Sequence, residues 1–163
     1  MLPDDLVPFH RWFIENTPER QTCRPIVPRT YDERLAAFME WQSDDTRASM
    51  AVIQNSDGAL VGRVSYFDLN RRNQSVEIGY TIGTEYQGKG YGREAVRLLI
   101  AHLFDTLKIN KVMAQTAAFN EPSVALLRSQ GFTQDGVLRQ HHELDGVLHD
   151  DLLFSILRTE FTE

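Results

Sequence analysis

The sequence predicts a mixed α/β domain, on three observations. Residues 4–16 and 31–42 carry apolar side chains at helical spacing, and residues 50–82 switch to short alternating β-rich runs. The remainder reads as a long helix, a strand, a short helix and a closing pair of strands, giving the order αα-βββ-α-β-α-ββ. A chain of 163 residues suffices for one domain with a hydrophobic core, and it shows no repeat, low-complexity tract or linker, so residues 1–163 are expected to form a single domain.

Residues 4–16 suggest the first helix, with Asp4 or Asp5 as cap and Leu6, Phe9, His10 and Phe13 near helical spacing. Pro18, Pro25 and Pro28 break regular structure and mark 17–30 as a loop. A second helix runs from Tyr31 to about Gln42, with Leu35, Phe38 and Met39 as its apolar stripe. Met50–Gln54 and Leu60–Phe67 flank Asn55-Ser56-Asp57-Gly58, a cluster suited to a hairpin turn. A polar turn over 68–73 leads to Ser75–Ile82. There Val76, Ile78, Tyr80 and Ile82 alternate with Glu77, Gly79 and Thr81, which predicts one apolar face and one smaller, more polar face. Val96, Leu99, Ile100, Leu103 and Leu107 share one side of a helix from about Arg93 to Leu107. Lys111–Ala117 reads as a strand, and Glu121–Gln130 as a short helix ended by Gly131. Two strands, about Phe132–Glu143 and Val147–Leu157, flank the turn signal Asp145-Gly146.

Bulk properties narrow the function classes. Hydrophobic residues make up 42% and charged residues 25%, the balance of a folded globular protein. A net charge of -6 argues against a nucleic-acid binder and mildly favours a cationic substrate. No apolar run approaches the roughly 18 residues of a membrane span, and the start Met1-Leu2-Pro3-Asp4-Asp5 lacks secretory character. A single cysteine, Cys23, offers no internal disulfide, so the cytoplasm is the expected location.

The chemistry concentrates in Gln87-Gly88-Lys89-Gly90-Tyr91-Gly92, between a strand and a long helix. Three glycines in five residues let successive amides converge on an anion, and the helix adds its positive end. A phosphate or pyrophosphate is the natural ligand; the plain alternative is a glycine-rich turn that binds nothing. Gly83 to Lys89 matches the first seven positions of a Walker A loop, but the eighth, where a hydroxyl must hold magnesium, is Gly90. No aspartate ends the strand Lys111–Ala117 to hold the metal instead. The dinucleotide fingerprint also fails, for want of its third glycine spacing.

On these residues the chain resembles the GNAT superfamily of N-acetyltransferases. Gln87, Gly90 and Gly92 occupy the places of that family's signature loop, and Asn120-Glu121-Pro122-Ser123, Leu127 and Gly131-Phe132 are similar to its second signature. Asp135-Gly136-Val137-Leu138-Arg139 and the late Gly146 and Asp150 resemble the branch that acetylates ribosomal-protein amino termini. The likeness runs from about Ala51 to Leu157. It implies the GNAT fold, a twisted, mostly antiparallel sheet splayed at one parallel strand pair and flanked by helices. It further implies acetyl-CoA as cosubstrate, with its pantetheine arm paired to Tyr80, Thr81 and Ile82 and its pyrophosphate held by Gly88, Lys89, Gly90, Tyr91 and Gly92, with Gln87 in the same loop. Relatives commonly begin with a strand ahead of the first helix, whereas here only Met1-Leu2-Pro3 precede it; the loop 17–30 would cover part of that region.

Amine acetylation requires a neutral amine, a polarised thioester and a proton for the departing thiolate. Glu77, ten residues before Gln87, matches a catalytic glutamate of the superfamily and is the candidate base; a salt-bridged surface glutamate is the alternative. Relatives often place a proton-donating tyrosine where this chain has Leu127, and in the ribosomal-protein branch a serine at the Ser123 position serves instead, so Ser123 is the candidate acid. Helix capping is the competing role for Ser123, as it is for Asn120, which would otherwise bond the coenzyme or the acyl end. Cys23 is expected to be a spectator. His141, His142, Glu143, His149, Asp150 and Asp151 crowd the last hairpin without the spacing of a zinc site, so no metal is expected, and Asp150 could meet an incoming amine. The resulting expectation is an acetyl-CoA-dependent N-acetyltransferase acting on a peptide amino terminus or a small-molecule amine, with a homodimer plausible through the exposed strand edges. A non-catalytic coenzyme A sensor of the same fold is the alternative.

Overall fold

The computed structural model describes residues 3–15, 20, 22–24, 27 and 29–162. Pro18, Pro25 and Pro28, and the side chain of Phe13, lie outside the described residues. The helices are α1 (Leu6–Glu15), α2 (Tyr31–Ser43), α3 (Tyr91–Asp105) and α4 (Glu121–Ser129). The strands are β1 (Ala48–Ile53), β2 (Leu60–Asn70), β3 (Ser75–Ile82), β4 (Lys111–Ala117), β5 (Thr133–Leu144) and β6 (Val147–Leu157). Among the described residues these elements follow the predicted order, and Arg20, within the expected loop 17–30, is helical.

Local chemistry sets the boundaries. Asp4 and Asp5, expected as caps, instead form a 3-10 turn with Pro3 that leads into α1. Thr30 and Glu33 close a capping box at the start of α2, satisfying two amides reciprocally. The β1–β2 turn closes through Gly58 N donating to Gln54 O at 2.9 Å, with Gly58 in the left-handed region. Asp145 and Gly146 both have positive φ, as a two-residue hairpin turn needs. Strand β2 runs three residues beyond the expected Phe67, because an irregularity at Asp68 (φ 55°) lets pairing with β3 resume at Asn70. Leu107 lies past the end of α3, packed partly against the core, and Phe104 completes the buried face of that helix.

The six strands form one sheet in the order β1-β2-β3-β4-β6-β5, antiparallel except for β3 and β4. That parallel pair holds for three residues only, Ser75–Glu77 against Lys111–Met113. Beyond it β3 continues unpaired on this side to Ile82, while β4 stays with β6 as far as Ala117. Val96, Leu99, Ile100 and Leu103 of α3 pack on Val64, Val76 and Ile78 and bury one face of the sheet. Helices α1 and α2 lie over the opposite face, toward which Arg63, Ser65 and Phe67 of β2 and Gly79 and Thr81 of β3 are turned.

Trp12 fixes α1 against the loop that follows β3. Its ring is 1% exposed, packs edge-on to Phe9 and Tyr86, and donates through Nε1 to Glu85 Oε2 at 2.9 Å. Gly83 leaves room for it: a Cβ there would stand 2.4 Å from the indole. Gly83→Ala is expected to lower stability by about 2 kcal/mol, as overpacking of a closed core does. Urea denaturation measures this, and an unchanged midpoint would mean that α1 is not docked there.

Candidate active site

The parting of β3 and β4 opens a cleft of about 980 Å³, large enough for a cofactor-sized ligand. Ile78–Ile82 form one wall, Ala114–Thr116 the other, and the start of α4 closes the end with Asn120 and Ser123. The loop after β3 forms the mouth. Gln87 Nε2 donates to Ile82 O at 3.1 Å and ties the loop back to the strand. Gly88 (φ 73°) and Gly90 (φ 88°) sit in the left-handed region, and Gly90 caps α3 in that conformation. A Cβ at either glycine would meet nothing within 4 Å, so backbone conformation rather than crowding calls for glycine there. Among the described residues nothing accepts a hydrogen bond from the amides of Gly88, Lys89, Gly90, Tyr91 or Gly92. Unspent donors at the N-terminal end of a fifteen-residue helix constitute an anion cradle.

Gln87, Gly88, Gly90, Tyr91, Gly92, Tyr80, Thr81, Ile82, Asn120 and Ser123 all line this cleft. Lys89 does not: its ammonium lies 5.6 Å from the Tyr86 ring centroid, so its share in anion binding falls to its amide. Asn120 caps α4, its Oδ1 accepting from Ser123 N at 3.3 Å. The capping role thus belongs to Asn120, which leaves the Ser123 hydroxyl free to bond the Tyr80 hydroxyl at 2.6 Å. Burial pushes the Tyr80 phenol up to about 12, against a smaller downward pull from Ser123, so it stays protonated at neutral pH. Sequence reasoning placed only the Tyr80 backbone at the site, because no periodicity links positions 43 residues apart. Leu127 is fully buried in the core and does not line the cleft.

Glu77 stands at the last paired position of the parallel strands, opposite Phe67 of β2. Alternation along β3 turns it to the face of Gly79 and Thr81. It lines neither cavity directly. Burial raises its carboxyl above the ordinary glutamate range, Arg24 opposes the shift and Asp68 adds to it.

The polar residues of the last hairpin divide between its exposed edge and the interior. Asp150 Oδ1 accepts from Gln140 N at 2.9 Å, fastening an irregularity of β5, and Asp150 lines neither cavity. Asp151 and His142 are buried, with His142 Nδ1 3.3 Å from Asp151 Oδ1. His141 is exposed, so adjacent histidines do face opposite ways. Cys23, His141 and Asp151 each place one potential ligand atom within 4.8 Å of the others. The Gln115 amide lies among them, donating to Asp151 Oδ2 at 2.7 Å and to Cys23 Sγ at 3.3 Å. Burial and then Asp151 push the Cys23 thiol up, which opposes the thiolate a nucleophile needs. No helix among the described residues is long and apolar enough to cross a membrane.

A splayed mixed sheet with a glycine-rich loop at the mouth of its cleft is the architecture of an acyl-CoA-dependent class of transferase. Residues 1–133 match the acetyltransferase (GNAT) domain family, and the chain belongs to that family. It is 33% identical over 68% of its length to the uncharacterized N-acetyltransferase p20 of Bacillus licheniformis. It is 37% identical over 64% of its length to YdaF of Bacillus subtilis, named as a candidate ribosomal N-acetyltransferase. The chain covers 62% and 57%, respectively, of the lengths of those two relatives. The crystal structure of spermidine N-acetyltransferase from Vibrio cholerae in complex with CoA and spermine shares the fold, at a TM-score of 0.90 and 22% identity over 98% of this chain and 94% of that one.

Proposed function

We propose that the protein is an N-acetyltransferase that moves the acetyl group of acetyl-CoA to an amine, on a peptide amino terminus or a small molecule. The observation that carries this is the row of unspent amides from Gly88 to Gly92 opening onto the cleft where β3 and β4 part. When bound, acetyl-CoA supplies an acyl group activated as a thioester. The amides of Gly88–Gly92 hold its pyrophosphate, and the unpaired edge of Ile78–Ile82 pairs with its pantetheine arm. Glu77, through a water, takes a proton from the acceptor ammonium, and the neutral amine forms the new bond to the acyl carbon as the carbon–sulfur bond breaks. The Ser123 hydroxyl gives its proton to the departing sulfur and regains one from Tyr80, and the proton that the nitrogen sheds on becoming an amide passes through water to restore the Tyr80 phenol.

The relatives suggest two acceptor classes, a ribosomal protein from the name of YdaF and a polyamine from the spermidine enzyme. One domain working in the cytoplasm suits this activity. A dimer through β5 suits the exposed Val137 of that edge strand and the exposed Val147 and Leu148 beside it. Thiol release from acetyl-CoA across an amine panel tests the proposal.

The raised carboxyl of Glu77 predicts a particular pH profile. A base works only when deprotonated, so kcat/KM should fall as pH drops through a value above the ordinary glutamate range. Glu77→Gln should abolish that acidic limb and lower kcat by about a hundredfold. A non-catalytic coenzyme A-binding role is the second reading, favoured by the absence of Glu77 from either cavity lining; coenzyme binding without thiol release would establish it.

A further inference from the structure

A second cavity, of about 440 Å³, lies on the other face of the sheet beneath α1 and α2. It meets the coenzyme cleft at Gly79, Tyr80 and Thr81, which line both. Whatever stands in it is therefore delivered to the strand edge where the acyl group would lie. The chain as a whole is acidic, at -6, but this wall is not. Arg24, Arg29, Arg34, Arg63 and His10 line the cavity, Arg24 with Asp68 at 3.8 Å beside it, and among the described residues no aspartate or glutamate lines it.

Arg63 is the most telling of them. It rises from the middle of β2, between Ala51 of β1 and Thr81 of β3. Its guanidinium lies 5.6 Å from the Phe9 ring centroid, and among the described residues no carboxylate acts on it. Burial alone pulls its pKa below the ordinary arginine range, with no carboxylate opposing the shift. The residue is half-buried, so its guanidinium is partly stripped of water while still reaching the cavity, and its planar fork matches a carboxylate or phosphate in bidentate geometry.

Resting on the acetyltransferase reading, we propose that this cavity selects a small acceptor amine carrying an anionic group a few bonds from the reactive nitrogen, with Arg63 pairing that group. Such an acceptor supplies the missing counter-charge and aims its amine at Gly79–Thr81. A polyamine would bring a second cation against the arginine wall and be disfavoured.

A matched set of five-carbon amines isolates the distal group: δ-aminovalerate ends in carboxylate, pentylamine in methyl, cadaverine in ammonium. Calorimetric titration into the protein saturated with coenzyme A, alongside thiol-release kinetics with acetyl-CoA, should show δ-aminovalerate favoured over cadaverine by at least about tenfold, as one charge-assisted bidentate pair provides. Arg63→Met should bring the two within about threefold of each other, and Arg63→Lys should restore part of the preference. The melting temperature and coenzyme A affinity of each variant show whether the fold stands. Tighter binding of cadaverine, no binding of δ-aminovalerate at millimolar concentration, or a preference unmoved in Arg63→Met would overturn the proposal while leaving acetyl transfer intact. Failure of coenzyme A itself to bind would instead remove the acetyltransferase reading beneath it.

Discussion

Gly90→Asp should weaken coenzyme A binding by roughly a thousandfold while leaving the protein folded. Gly90 caps α3 with φ at 88°, and aspartate is among the few side chains that tolerate the left-handed region. A carboxylate at that position also favours the helix, since it faces the positive end of the α3 dipole and can cap free amides. The fold should therefore hold, with a melting temperature close to that of the parent. Binding should not. The new charge would occupy the cradle meant for the pyrophosphate, and two negative charges about 4 Å apart at a protein surface repel by about 4 kcal/mol. Calorimetric titration reads the loss directly, and thermal denaturation separates it from unfolding. Equal affinity in the variant would show that the loop does not touch the diphosphate.

Ser123→Ala should lower kcat by several hundredfold, roughly within the range general acids contribute, and leave coenzyme affinity nearly unchanged. The hydroxyl has no structural duty to lose, because Asn120 already caps α4. Its one side-chain partner is the Tyr80 hydroxyl at 2.6 Å. Tyr80→Phe should produce a smaller loss in the same parameter, since serine can still give its own proton once. Measuring both variants with a leaving group of low pKa, such as an activated aryl thioester, should shrink both losses, because a stable thiolate needs no acid. Losses that persist undiminished with such a leaving group would remove Ser123 from the acid role.

The elements were legible because their signals are local. The alternation of Val76, Ile78 and Tyr80 with Glu77, Gly79 and Thr81 identified both faces of β3. The positive φ of Gly88 and Gly90 that shapes the loop was legible in the glycines themselves. Other features arise only when distant segments meet. Nothing in the spacing of Tyr80 and Ser123 indicates that their hydroxyls bond, and nothing in Arg63, one polar residue on a half-buried strand, indicates a cavity wall. The average charge of the chain even pointed toward a cationic acceptor, whereas the charges that face the second cavity point the other way. Asp150 is another case: its Oδ1 accepts from the Gln140 amide across an irregular stretch of the hairpin, a bond that residue spacing does not specify. The placing of the Lys89 ammonium near the Tyr86 ring is likewise a contact that the glycine motif does not specify.

The most direct test follows backbone amides by nuclear magnetic resonance as coenzyme A is added. Amide protons that engage a diphosphate move downfield, so Gly88, Lys89, Gly90, Tyr91 and Gly92 should show the largest shifts, with Ile78–Ile82 following as that strand edge gains a partner. Saturating coenzyme A that leaves those five loop amides in place, while other regions shift or nothing does, would contradict the assignment of this cleft.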